Sequence, residues 1–163
     1  MKKCKTISID SSSKKTGYAV WENGKFIRSG LINKENISDM SERLPAMMKE
    51  LTLLFESEKP DIIFVEEMNV SRNIDTGRHL IRLQGAIQYW CQVVSDAWFS
   101  TVEPTKWRAN VELKPKSRKR DDLKKAAVEY VKTHYNKEVN DDEAEAICLG
   151  EGMMNMYRKQ TTL

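Results

Sequence analysis

Ile7-Ser8-Ile9-Asp10-Ser11-Ser12-Ser13-Lys14-Lys15-Thr16-Gly17-Tyr18-Ala19-Val20-Trp21 decides how the rest of the chain is read. It holds two apolar runs joined by small polar residues. Cys4 to Ile9 reads as a first strand, Thr16 to Trp21 as a second and Lys25 to Leu31 as a third. Asn23-Gly24 separates the last two, and these residue types tolerate the positive φ of a tight primed turn. Three antiparallel strands therefore open the protein. Asp10 closes the first of them. An acid at the end of an apolar strand either caps a turn or is held by a cation, because leaving it buried and unpaired is costly.

Outward from this stretch the pattern changes to helices and single strands. Leu44, Met47, Met48, Leu51, Leu54 and Phe55 recur at three- and four-residue spacing, one apolar helical stripe, with Pro45 expected in the first turn. Asp61-Ile62-Ile63-Phe64-Val65 is a short apolar run of the kind a parallel sheet buries, and it ends in Glu66-Glu67. A helix over about Asp75 to Val94, a fifth strand over Ala97 to Val102 and a short turn over Pro104 to Arg108 follow. A helix from Asp121 or Asp122 and a last one from near Asn140 to about Tyr157 complete the order. The fold class is α/β: a mixed five-stranded sheet flanked by helices. One domain over residues 1–163 is expected at this length.

Composition narrows the class. Hydrophobic residues make up 40% and charged residues 31%, a balance that excludes a disordered chain. No apolar run approaches the ~20 residues that span a bilayer, and Asp10 follows the basic start too soon for a secretory segment. A cytoplasmic location follows, that of the host if the source is a phage. Cys4, Cys91 and Cys148 show no metal or disulfide spacing and read as buried thiols. Net charge is only +3, but Lys114, Lys116, Arg118, Lys119, Arg120, Lys124 and Lys125 crowd one stretch, a candidate phosphate contact.

Acids recur at the margins of three apolar elements. Strand alternation lets only one of Glu66 and Glu67 share the side of Asp10. Asp141, Asp142, Glu143 and Glu145 begin the last helix, where the dipole alone would favour acids. Asp142 and Glu145, three apart, share a face, as do Asp141 and Glu145 at four. Carboxylates gathered from three segments suit Mg²⁺ or Mn²⁺, and two such ions roughly 4 Å apart can activate water and stabilise a leaving oxygen in phosphodiester cleavage.

Together these motifs resemble the RuvC family of Holliday-junction resolvases over most of the chain. Ile9-Asp10 through Thr16-Gly17-Tyr18-Ala19-Val20 is similar to the family's first strand, catalytic acid and return. Pro60-Asp61-Ile62-Ile63-Phe64-Val65-Glu66 resembles its strand ending in a catalytic Glu, a register that selects Glu66 over Glu67. Asn73, Asp75, Thr76, Leu80 and Gly85 match the spacing of the next family helix; Pro104, Lys106 and Trp107-Arg108 match its basic segment. Asp142-Glu143-Ala144-Glu145-Ala146-Ile147 resembles its closing acidic motif. Two departures stand out. Glu145 occupies a position where the family usually has Asp. Met68, Asn69 and Val70 stand where typical members carry an aromatic wedge, which fits relaxed cleavage of branched DNA, as in phage-type members.

The resemblance implies an RNase H-like homodimer that cuts opposite strands of a four-way junction, with the helix near Asp75 to Val94 as dimer contact. It implies Asp10, Glu66, Asp142 and Glu145 as ligands of two Mg²⁺ or Mn²⁺ ions, with Lys119 or Arg120 stabilising charge on the phosphate. Products would carry 5′-phosphate and 3′-hydroxyl ends. Arg72, Arg78, His79, Arg82, Lys106, Arg108, Lys116 and Arg118, with Lys119 and Arg120, are candidate DNA contacts. Membranes are not implied as partners, and no helicase partner is identified. Two alternatives remain at this point: a non-catalytic junction-binding module on the same fold, and a nuclease acting on RNA–DNA hybrids.

Overall fold

The computed structural model describes residues 3–68 and 74–161, without the side chains of residues 74–76 and 161. The elements are β1 (Lys5–Asp10), β2 (Lys15–Glu22), β3 (Lys25–Asn33), α1 (Met40–Glu58), β4 (Ile62–Glu66), α2 (Ile74–Tyr89), β5 (Trp98–Val102), α3 (Pro104–Arg108), α4 (Arg120–Tyr135) and α5 (Asp141–Thr161). The five strands form one mixed sheet in the order β3-β2-β1-β4-β5. β1, β2 and β3 pair antiparallel, while β1–β4 and β4–β5 are parallel. Asn23 and Gly24 both take positive φ, 53° and 73°, so the β2–β3 turn is built as its residues dictate.

Alternation along each strand sorts side chains onto two cores. Ile7, Ile9, Ile63 and Val65 point to one face and pack with Met47, Leu51, Phe55, Leu83 and Ile87 of α1 and α2. Phe64, Ala19 and Trp21 point to the other, against Trp107, Ala127, Val131, Ile147 and Cys148 from α3, α4 and α5. The period of two also fixes where the polar residues go. Ser8 lies on the second face, where its hydroxyl donates to the carbonyl of Ala146 at 2.7 Å and accepts from Trp21 Nε1 at 3.0 Å. Asp10, two residues on, must face α5 as well.

Three local readings are corrected. Pro45 lies inside α1, because the helix starts earlier than its apolar stripe suggests. The Asp39 carboxylate accepts from the backbone N–H of Ser41 at 2.8 Å, a cap worth about 1 kcal/mol. The helix after β4 does not run regularly to Val94: α2 gives way to a π-helical turn over Trp90–Ser95, closed by Asp96 at φ 58°. Cys4 is exposed, because it precedes the first paired strand residue; Cys91 and Cys148 are buried. In the segment from α2 through the π-helical turn, Leu83, Ile87 and Trp90 are core residues, whereas Ile81, Tyr89 and Val93 are more than half exposed. Among the described residues, no helix is long and apolar enough to cross a membrane.

Candidate active site

The parallel register between β1 and β4 pairs Ile9 with Val65. The next residues, Asp10 and Glu66, therefore stand side by side at the carboxyl ends of neighbouring strands. Both face α5, by the parity that sends Ile9 and Val65 into the opposite core. Glu67 falls on the wrong side and is exposed. The first turns of α5 complete the set. One oxygen each from Asp10, Asp142 and Glu145 lie within 4.8 Å of one another.

Gly17 explains how α5 comes so close. It pairs with Asp10 across the hairpin. A Cβ at this position would lie 2.1 Å from the Asp142 carbonyl oxygen and 2.7 Å from the Glu143 nitrogen. Only hydrogen leaves room for the helix start against the strand. Asn140 caps that start, its Oδ1 accepting from the Glu143 N–H at 2.9 Å.

Glu66 is held by residues from α3. Trp107, buried, donates its Nε1–H to Glu66 Oε2 at 2.7 Å. The Arg108 guanidinium lies over the Trp107 ring, 4.7 Å from its centroid. It reaches Glu66 at 3.8 Å and Glu145 at 3.4 Å. From α4, the Lys124 ammonium meets Asp141 at 2.6 Å, Asp142 at 3.1 Å and Glu145 at 3.7 Å.

These surroundings set the ionisation of the acids. Burial pushes Asp10 well above the usual carboxylate range, and repulsion from Glu145, Glu66 and Asp142 adds to it, against a smaller pull from Lys124. Burial raises Glu145, as does Glu66 beside it. Burial also raises Glu66, despite Arg108, the Trp107 hydrogen bond, Arg120 and Lys124. Asp141 differs: its hydrogen bond from Lys124 holds it low, and it leans outward. The structure thus brings Asp142, not Asp141, beside Asp10. The donor set fits a hard divalent cation, being all oxygen, converging and short of positive charge.

The basic candidates spread around this rim. Lys119 precedes α4 and Arg120 begins it; both are exposed, and the charge of Arg120 is felt at Glu66. Lys116 and Arg118 are exposed in the preceding loop, and Lys106 on α3. Arg78 and Arg82 are exposed on α2, and His79 is half-buried there. Arg72, Asn73, Asn69 and Val70 lie outside the described residues, as do the side chains of Asp75 and Thr76. Sequence reasoning missed Lys124 as a site residue, counting it only within the basic stretch. A signal was present: Lys124 precedes Ala127 and Val131 by three and seven residues, on the buried stripe of α4. The bond from Trp107 to Glu66 had no local signal, since the partners are 41 residues apart.

A family model described as crossover junction endodeoxyribonuclease RuvC matches residues 6–102, more than half of the chain. The chain belongs to the RuvC family. That membership makes it a crossover junction endodeoxyribonuclease, and the match includes Asp10 and Glu66. The fold agrees along the whole length. Thermus thermophilus RuvC in complex with a Holliday junction substrate is similar at a TM-score of 0.72 and 10% identity, covering 97% of each chain. The yeast mitochondrial Holliday junction resolvase Ydc2 is similar at 0.63 and 13% identity, over 96% of this chain and 82% of that one. The fowlpox virus resolvase, solved with its Holliday junction DNA, is similar at 0.54 and 14% identity, over 98% of this chain and 99% of that one. A comparison with curated protein sequences gave no match. The mixed five-stranded sheet flanked by helices is thus the RNase H-like architecture of RuvC-type resolvases.

Proposed function

We propose that this chain, as one domain over residues 1–163, resolves Holliday junctions and other branched DNA by metal-dependent paired cuts, leaving 5′-phosphate and 3′-hydroxyl ends. The observation that carries the reading is the convergence of Asp10, Asp142 and Glu145 oxygens within 4.8 Å, beside Glu66. Asp10, Glu66, Asp142 and Glu145 would hold Mg²⁺ or Mn²⁺. Bound there, two such ions supply an activated water and charge stabilisation for the departing 3′ oxygen. The chain's own contribution is placement. Trp107 ties up one oxygen of Glu66 and fixes its rotamer. Lys119 and Arg120 stand at the rim to meet the scissile phosphate. Lys106, Lys116 and Arg118 would grip neighbouring phosphates, while Arg108 stays on Glu66 and Glu145. Arg78 and Arg82 of α2 would meet DNA further along, and Arg72 is proposed as a contact from the sequence alone.

Two cuts on opposite strands need two active sites, and so a second copy of the chain. Ile81, Tyr89 and Val93 form an exposed apolar stripe along α2 and its π-helical continuation. This stripe is the contact proposed between the two copies.

The test is cleavage of a synthetic four-way junction in Mg²⁺ and in Mn²⁺, with a linear duplex and an RNA–DNA hybrid in parallel. Paired nicks on the junction are expected, reduced more than about a hundredfold by Asp10→Asn, as loss of a metal ligand requires. Binding of the junction without cutting in either metal would leave a binding module. Cutting of the hybrid alone would keep the active site and replace the substrate.

A further inference from the structure

We propose that Lys124 is a resident cation in one of the two cation positions among the acids, so that the DNA-free protein takes up one divalent ion and not two. The inference rests on the metal-dependent reading above.

Three observations carry it. First, the Lys124 ammonium lies 3.1 Å from Asp142 and 3.7 Å from Glu145, two of the three acids whose oxygens converge. A second divalent ion drawing on those oxygens would meet a like charge. Second, the position is imposed by packing. Lys124 shares the inward stripe of α4 with Ala127 and Val131, and its side chain is only 16% exposed. A desolvated ammonium is kept only where carboxylates compensate it. Third, protein cations already offset part of the charge. Asp10, Glu66, Asp142 and Glu145 carry four negative charges when ionised, and Arg108 and Lys124, the latter shared with Asp141, return at most two. Less negative charge is left to draw in a second divalent ion.

The two protein cations are not equivalent. Arg108 is planar, stacked on Trp107 and bridged between Glu66 and Glu145, which fixes it. Lys124 is a point charge on a flexible stem, and its shortest contact is Asp141, at 2.6 Å, on the outer side of the cluster. Asp141 therefore offers Lys124 a position to withdraw to. The negative phosphate of bound DNA supplies the charge that makes a second divalent ion favourable at that moment. Lys124 would thus couple full metal loading to the presence of substrate.

The experiment is a titration of the full, DNA-free chain with Mn²⁺, reading free ion by electron paramagnetic resonance, for wild type, Lys124→Met and Lys124→Gln. Wild type is expected to bind one ion tightly. Both variants should bind two, the second at least about tenfold more tightly than wild type does, since a like charge within a few ångströms has been removed. The metal-free variants should also melt lower and gain more from Mn²⁺ than wild type does. Two equally tight ions in DNA-free wild type would overturn the proposal by themselves, whether or not the variants fold. An unchanged second affinity in both variants would overturn it too. No tight Mn²⁺ in any of the three proteins would overturn the metal-dependent reading itself.

Discussion

Asp10 is half-buried and faces three other carboxylates, so its ionised form is disfavoured until a cation arrives. The same residue then serves opposite ends in the two states. Without metal it lowers stability; with metal it anchors the ion. Asp10→Asn removes the charge and keeps the shape. It should therefore raise the melting temperature of the metal-free protein, by roughly 2–4 °C for each kcal/mol relieved in a chain of this size. Added Mg²⁺ or Mn²⁺ should stabilise wild type more than the variant, because binding to the native state alone shifts its melting. Calorimetry with and without metal checks both statements. A lower metal-free melting temperature for Asp10→Asn would mean that the carboxylate is already compensated by its neighbours.

Among the elements, the start of α5 is the one whose placement admits least freedom. It is wedged against β2 at Gly17, where the backbone of Asp142 fills the space a side chain would need. Gly17→Ala should push α5 away, cost about 1–3 kcal/mol as overpacking does, and separate Asp142 from Asp10. Weaker Mn²⁺ binding together with lower stability is expected; full binding in a stable variant would show that the helix start can shift without consequence. This contact also marks what a sequence can and cannot disclose. The strands were legible because period two, the Asn23-Gly24 turn and the Asp61 to Val65 run are local signals. Parity showed that only one of Glu66 and Glu67 can share the side of Asp10, and the resemblance selected Glu66. The choice between Asp141 and Asp142 was not legible, because both share a face with Glu145 and only the packing of α5 on β2 separates them. Pro45 misplaced the start of α1, since the Asp39 cap outweighed the proline signal. Lys124 was read only as part of a basic stretch for phosphate contact because its partners lie 17 and 18 residues away, on another helix.

For the molecule as a whole, apolar residues that the fold leaves uncovered bear on assembly. Leu83 and Ile87 face inward while Ile81 and Tyr89 face out, so α2 is apolar on two sides. A charge placed at the outer stripe, as in Tyr89→Glu, should leave the core intact and turn a dimer into a monomer in sedimentation. Paired cuts on a junction should then become single nicks at equal protein concentration. An unchanged sedimentation coefficient in a dimeric wild type would move the contact elsewhere on the surface.

The level pairing of Ile9 with Val65 has a consequence for which changes of length the chain can absorb. Two acids meet only because two strands end in step. Sliding β4 by a single residue against β1 would bury Glu66 in an apolar core and present Val65 in its place. Connections such as residues 34–39 can lengthen or shorten without touching the chemistry. An insertion inside β1 or β4 cannot, because it changes which residues are counted as facing the site. The tolerance of this enzyme to insertions should therefore be graded by strand frame and not by distance from Asp10.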